Sequence, residues 1–142
     1  MVAGEDAAYR MELAKQHLEM AEEDLGLGRW ASCVSNAQIA VENAAKAILA
    51  CFGPIPRTHS TAEWLQRLPV RDLPEDLRAR IEKIIPVARE YGLRKHILTI
   101  YGDEETFRTP WDLFGEKDAR KAMDDARQCM RAAEEVYTYY FG

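Results

Sequence analysis

No apolar run in this chain approaches the length needed to cross a bilayer. Met1 to Ala8 carry Glu5 and Asp6 in place of the basic start and apolar core of a secretion signal. A cytoplasmic protein with no membrane partner is therefore expected. Cysteine is scarce: Cys33, Cys51 and Cys129 are odd in number, widely spaced and form no CxxC pair. Neither a disulfide framework nor a zinc knuckle is suggested, and free thiols in helical segments are expected. Only three histidines occur, and they do not cluster at helical spacing, so no metal site and no cofactor is expected. A glycine-rich phosphate loop, HExxH, GxSxG and an EF-hand loop are all missing. No segment alternates convincingly with period two, which leaves no case for a sheet.

The 142 residues fit one domain, 1–142, with room for a hydrophobic core that needs no disulfide or metal. The net charge of −5 argues against broad, nonspecific nucleic-acid binding. The charge is unevenly distributed. Residues 57–101 are net positive, while the segments before and after are net negative. The basic middle third also holds His59 and His96. Phosphate chemistry is to be sought there first.

Helical periodicity runs through most of the chain. A first helix over about Asp6 to Leu25 buries Ala14, Leu18, Ala21 and Leu25 and turns Glu19, Glu22, Glu23 and Asp24 outward. Gly26 and Gly28 end it, and a short turn leads antiparallel into a second helix from near Arg29 to about Phe52. Gly53-Pro54-Ile55-Pro56 stops that helix. Ser60 and Glu63 have the spacing of a capping box for a short third helix, with His59 packed on its start. Pro74 opens another helix with Leu77, Ile81, Ile84 and Ala88 inward; Pro86 is expected to kink or break it. Tyr91-Gly92 separates a further piece, Leu93 to Tyr101, before an ordered loop reaching Gly115. The last helix runs from near Glu116 to about Tyr139, with Ala119, Met123, Ala126, Met130, Ala133 and Tyr137 inward. The expected fold is an all-α, up-and-down four-helix bundle with one or two additional short helices.

Two constellations stand out. In GRWASCVSNAQIAVENAAKAILA, the stripe Trp30, Val34, Ala37, Val41, Ala44 and Ile48 is apolar, and Glu42 and Lys46 sit four apart in the favourable order. They are expected to form a partly buried polar pair. In REYGLRKH, Arg89 and His96 fit R-x(6)-H. A guanidinium can clamp phosphate and an imidazole can move a proton at neutral pH, which is the minimum kit for metal-independent RNA cleavage. Arg94, Lys95 and Tyr101 lie close by as candidate nucleotide or phosphate contacts. The same spacing also arises by chance, and Gly92 can bend the segment.

The string from Gly28 to Leu49 resembles the HEPN domain (higher eukaryotes and prokaryotes nucleotide-binding). The His59-Ser60 start of a short helix and Pro110…Glu116-Lys117-Asp118-Ala119 are similar to its small prokaryotic branch. The resemblance implies a helical bundle, dimerisation, and in many members an R-x(4–6)-H ribonuclease site assembled across the dimer. It also implies pairing with a minimal nucleotidyltransferase, as in toxin–antitoxin systems. Arg89 and His96 depart from that pattern by preceding the last helix, and Glu90 stands where an Asn is common. Three readings remain open: a nucleotide- or RNA-binding assembly module, a metal-independent endoribonuclease, and a ligand-free helical adaptor. A homodimer is expected in addition because Trp30, Trp64, Trp111, Tyr137, Tyr139, Tyr140 and Phe141 cannot all be central.

Overall fold

The second helix has almost no polar face, and the structure puts it at the centre. In the computed structural model, which describes residues 2–142, α1 (Val2–Gly26), α2 (Trp30–Ala50), α4 (Glu75–Glu90) and α7 (Glu116–Phe141) form the bundle. The short α3 (Ala62–Gln66), α5 (Leu93–Tyr101) and α6 (Pro110–Leu113) fill the connection between α2 and α7. That is one short helix more than expected. Among the described residues there is no β-strand, and no helix is long and apolar enough to cross a membrane.

Side-chain bonds fix the helix directions. Arg10–Asn43, His17–Asn36 and Ser32–Asp24 run down the α1–α2 seam in antiparallel register. Lys121–Glu90 and Arg80–Glu135 do the same for α4 and α7. Phe52 meets Tyr140, and Cys33 meets the carbonyl of Ala119, so α2 and α7 point the same way. The four long helices therefore alternate up and down, as the sequence pattern implied. Small residues at Ala14, Ala21, Ala37, Ala44, Ala126 and Ala133 are fully or almost fully buried, which lets the three longest helices approach closely.

Three local expectations need correction. Asp24 is not on the outer acidic face: it is 6% exposed. Its carboxylate accepts from Ser32 Oγ at 2.7 Å and Asn36 Nδ2 at 2.9 Å, tying the end of α1 to the first turns of α2. Ser60 does not cap α3. The N-cap is Thr61, without a side-chain bond, because the Thr58 hydroxyl takes the Ser60 amide at 2.9 Å and starts the helix one residue later. Pro86 does not end α4, which continues to Glu90. The bond Pro86 cannot donate would go to the carbonyl of Glu82, and both residues are exposed, so that carbonyl is open to solvent.

The 102–115 connection is firmly built. Asp103 and Arg108 exchange backbone bonds of 2.8 and 3.0 Å, closing a small loop. Thr109 and Asp112 form a reciprocal capping box on α6. Gly102 adopts φ +75°, and a Cβ there would sit 2.1 Å from the Arg108 carbonyl oxygen. Gly102→Ala is expected to destabilise the protein by at least about 1 kcal/mol, through strain and loop displacement together. Thermal unfolding followed by circular dichroism checks this; an unchanged midpoint would show that the loop is not held as described.

Candidate functional site

α2 carries Gln38, Glu42 and Lys46 at four-residue spacing, so all three project from one face. The helix stops at the Gly-Pro-Ile-Pro turn, and the returning chain lays His59 over that face. On the far side, α4 ends at Tyr91-Gly92, and the backbone restarts as α5, bringing His96 in from the other direction. The result is a polar cluster drawn from α2, the α2–α3 turn and α5.

Glu42 is its hub. Its Oε1 lies 2.7 Å from His59 Nδ1, and its Oε2 lies 3.1 Å from Lys46 Nζ. Glu42 and Lys46 side chains are each only 10% exposed, so the pair is a buried polar feature. Gln38 is fully buried. It donates to the Tyr91 carbonyl at 3.2 Å and accepts at 2.9 Å from His96 Nδ1 in the tautomer that protonates this nitrogen. The rings of His59 and His96 stack 4.3 Å apart and 15° from parallel. Burial opposes the charge of Glu42. The hydrogen bond from His59 and the Lys46 ammonium outweigh it and hold the carboxyl below its ordinary value. Burial, and then the neighbouring His59, push His96 down, against a smaller opposing pull from Glu42.

In front of this cluster lies an open cavity of about 460 Å³. Arg10, Lys46, Arg57 and His59 line it, with Ile55 and Pro56 as apolar walls and Thr58 beside them. Arg57 is exposed and makes no ion pair among the described residues. Arg10 uses Nη1 on Asn43 Oδ1 at 3.0 Å, yet its buried Nε has no partner. A cationic concavity with an apolar wall is chemically matched to an anion that carries a flat apolar part.

The histidines do not cluster at helical spacing, yet His59 and His96 lie side by side in the fold. They meet because two separate elements converge, which helical spacing cannot reveal. Glu42, His59 and His96 offer metal-ligand atoms within 4.8 Å of one another. Their present geometry nevertheless suits hydrogen bonding. One ion cannot lie in the planes of two parallel stacked rings, and the Lys46 ammonium already occupies Glu42. Arg10 and Arg57 make the cavity still less favourable for a cation.

The other candidate residues divide among different surroundings. Arg89 is exposed in the last turn of α4, without an ion pair among the described residues. The break at Gly92 takes it off any helix face shared with His96. Its carbonyl and the Ser60 hydroxyl both border Gly92, so this turn still abuts the His59–Ser60 segment. Lys95 turns away from the cavity. It lies 3.7 Å from Glu90 and over the rings of Tyr91 and Phe114. Arg94 is exposed, and Tyr101 lies at the end of α5 beside Phe107 and a different depression. His96 alone of these five joins the cluster. Gln38, His59, Arg10 and Arg57 were missed as site residues; the one local signal was Gln38, one turn before Glu42 on the same face. The cysteines are no alternative centre: burial pushes the thiols of Cys33 and Cys51 up to about 11 and that of Cys129 up to about 12.

The chain belongs to the HEPN domain family, whose model matches residues 7–139. It is similar to TT1696 from Thermus thermophilus, a crystal structure with a TM-score of 0.67 and 27% identity. That likeness covers 92% of this chain and 97% of the other. No curated protein matches the sequence.

Two outcomes follow from the cluster. Glu42→Ala leaves a nearly buried ammonium unpaired, so it is expected to cost about 3 kcal/mol, well above the ~0–1 kcal/mol of a surface pair. Denaturant unfolding measures this, and a loss under 1 kcal/mol would return the pair to the surface. The second concerns pH. His96 is depressed from 6.5 in the fold, so the unfolded chain takes up its proton first and stability falls as pH drops below that value. Glu42, depressed from 4.5, adds a second loss at lower pH. Thermal midpoints should decline from pH ~7 to pH ~5, and His96→Asn should flatten that stretch of the profile. An identical decline in the variant would assign the effect elsewhere.

Proposed function

We propose that this HEPN domain is a nucleotide- or RNA-binding assembly module that works as a homodimer. The observation that carries the reading is the cavity in front of the Glu42 cluster. Arg10, Lys46, Arg57 and His59 offer their cationic or hydrogen-bonding groups to a phosphate, while Ile55 and Pro56 offer an apolar surface to a base or ribose. Gln38 and Glu42 hold the two imidazoles in place from below, so the floor of the site is preorganised.

The dimer face is assigned to α5 and the loop after it. Leu93, Ile97 and Ile100 recur along one side of α5 and are 47, 43 and 48% exposed. Tyr101, Phe107 and Trp111 extend this surface at 66, 91 and 80%. Phe107 has φ +58°, an uncommon conformation for a large side chain, held by the bridged 103–108 loop. Three aromatics of about 200 Å² each, plus the α5 aliphatics, present area on the order of the ~800 Å² per partner of a stable interface. The C-terminal aromatics are a weaker candidate. Tyr137 and Phe141 are half-buried, and the Phe141 ring lies against Gly4. A minimal nucleotidyltransferase fits as the partner protein in a toxin–antitoxin-like pair, and co-expression with affinity capture tests that assignment.

The deciding experiment is calorimetric titration with ATP and with a short single-stranded RNA. Arg57→Ala is expected to weaken binding about tenfold and to lower its salt dependence. Unchanged affinity in this variant would overturn the site. Sedimentation should give a dimer for the native chain and a monomer for Phe107→Asp/Trp111→Asp; a native monomer at micromolar concentration would remove the assembly half of the reading.

The second reading, a metal-independent endoribonuclease, is favoured by one observation. His96 is oriented by Gln38 at 2.9 Å, and burial pushes its pKa down, which favours the neutral imidazole that a general base needs. In that case RNA incubated without metal is cleaved to products ending in a 2′,3′-cyclic phosphate, and His96→Ala abolishes cleavage while binding persists. Intact RNA leaves the binding module alone.

A further inference from the structure

We propose that the groove between α4 and α7 is a second anion site, built for vicinal phosphate groups and separate from the His59 cavity. Arg80 and Lys83 enter it from α4, and Arg127 and Arg131 enter from the antiparallel α7, with the Asp124 carboxylate and Gln128 on the same α7 wall, around a cavity of about 310 Å³. The buried Ile84 forms its floor. Four cations converge here in a chain whose net charge is −5.

Their pairing leaves the groove under-neutralised. Arg80 has a close partner, Glu135, at 2.9 Å. Arg127 reaches Glu22 and Asp124 only at 3.6 and 3.8 Å, and the Asp124 side chain is 81% exposed. Lys83 and Arg131 have no ion pair among the described residues. Arg127 and Arg131 stand one turn apart on α7, and Arg80 and Lys83 three residues apart on α4. Such like-charged neighbours repel in the free protein. A bound polyanion relieves that repulsion. Three guanidinium forks and an ammonium around so small a volume match closely spaced phosphates, which concentrate several charges and paired oxygens; a single carboxylate does not.

The site is distinct from the one assigned above. The His59 cavity draws on α1, α2 and the α2–α3 turn and shares no lining residue with this groove. Arg89, nine residues beyond Arg80 at about 100° per residue, points from the opposite side of α4. Vicinal phosphates have two possible sources, a free oligophosphate or a nucleic-acid backbone, and the test separates them.

The full-length chain is titrated with inorganic tripolyphosphate by calorimetry and with a labelled single-stranded RNA by anisotropy. The variants are Lys83→Ala/Arg131→Ala and, for the other cavity, Arg57→Ala. The groove variant is expected to lose at least tenfold in tripolyphosphate affinity. Its unliganded thermal midpoint should rise, because repulsion is relieved, while the rise induced by tripolyphosphate shrinks. A merely structural role for these cations would lower the unliganded midpoint instead. RNA affinity falling in parallel identifies a nucleic-acid backbone as the source; unchanged RNA affinity identifies a free oligophosphate. Lys83→Gln/Arg131→Gln repeats the measurement with longer side chains. The proposal is overturned if both groove variants bind both probes as the native chain does, or if Arg57→Ala alone removes all binding. The reverse pattern, binding lost in the groove variants and untouched by Arg57→Ala, sinks the His59 cavity and leaves the groove standing.

Discussion

The arrangement of the basic cavity depends on one buried carboxylate. Glu42 sits in the middle of α2, whose buried residues are mostly apolar, and a charge there is tolerated only if it is paired. Lys46 covers one oxygen and His59 the other. These bonds have consequences well beyond α2. The bond to His59 holds the turn after Pro56 against the helix, which places Arg57 at the cavity rim. The stack of His59 on His96 then locates the first turn of α5. A local requirement, neutralising one buried charge, thus sets the positions of three separate segments.

The break at Tyr91-Gly92 divides the basic middle third into two electrostatic surroundings. Consecutive residues on α5 point about 100° apart, so Lys95 and His96 cannot serve the same neighbours. Lys95 joins Glu90, Lys121, Asp125 and the Tyr91 hydroxyl in a network with α7. Its acids neutralise its cations, and it locks α4, α5 and α7 together. His96 faces α2, where cations outnumber acids around the open cavity. The positive segment charge that drew attention in the sequence is therefore partly structural. The portion facing α2 lines the His59 cavity, supplemented by Arg10 and Lys46 from the acidic first third, while Arg80 and Lys83 face the α4–α7 groove.

Much of the fold was legible because it rests on local periodicity. The four long helices, the helical hairpin, the break at Gly92 and the buried Glu42–Lys46 pair follow from spacing, glycine and proline placement, and the lack of a polar face on α2. The misses share a different character. Asp24 and Ser60 have partners that their spacing does not name: Asn36 on the facing helix, and the Thr58 hydroxyl two residues back. Pro86 does not break α4, because tolerance of a missing bond depends on which side of the helix faces water. The candidate site divides along the same line. Arg89 and His96 are linked by sequence spacing, whereas His59, Gln38 and His96 are linked by the path of the chain. His59 looked like a residue packed on a helix start; its partners are Glu42, seventeen positions back, and His96, thirty-seven ahead.

α5 connects the two halves of the proposed function. Its inner edge carries His96 and the buried Thr99, while Leu93, Ile97 and Ile100 lie within about 60° of one another on its outer side. Nine residues make a short rod, flanked by Gly92 at its start and by Gly102 in a left-handed conformation at its end. An anion that draws His59 and His96 toward the cavity pulls on the same rod that presents the apolar face. In the proposed function, binding and assembly act on adjacent sides of one short helix. Linkage requires the coupling to be reciprocal: if phosphate favours the position of α5 that a second chain recognises, dimer formation raises phosphate affinity by the same factor.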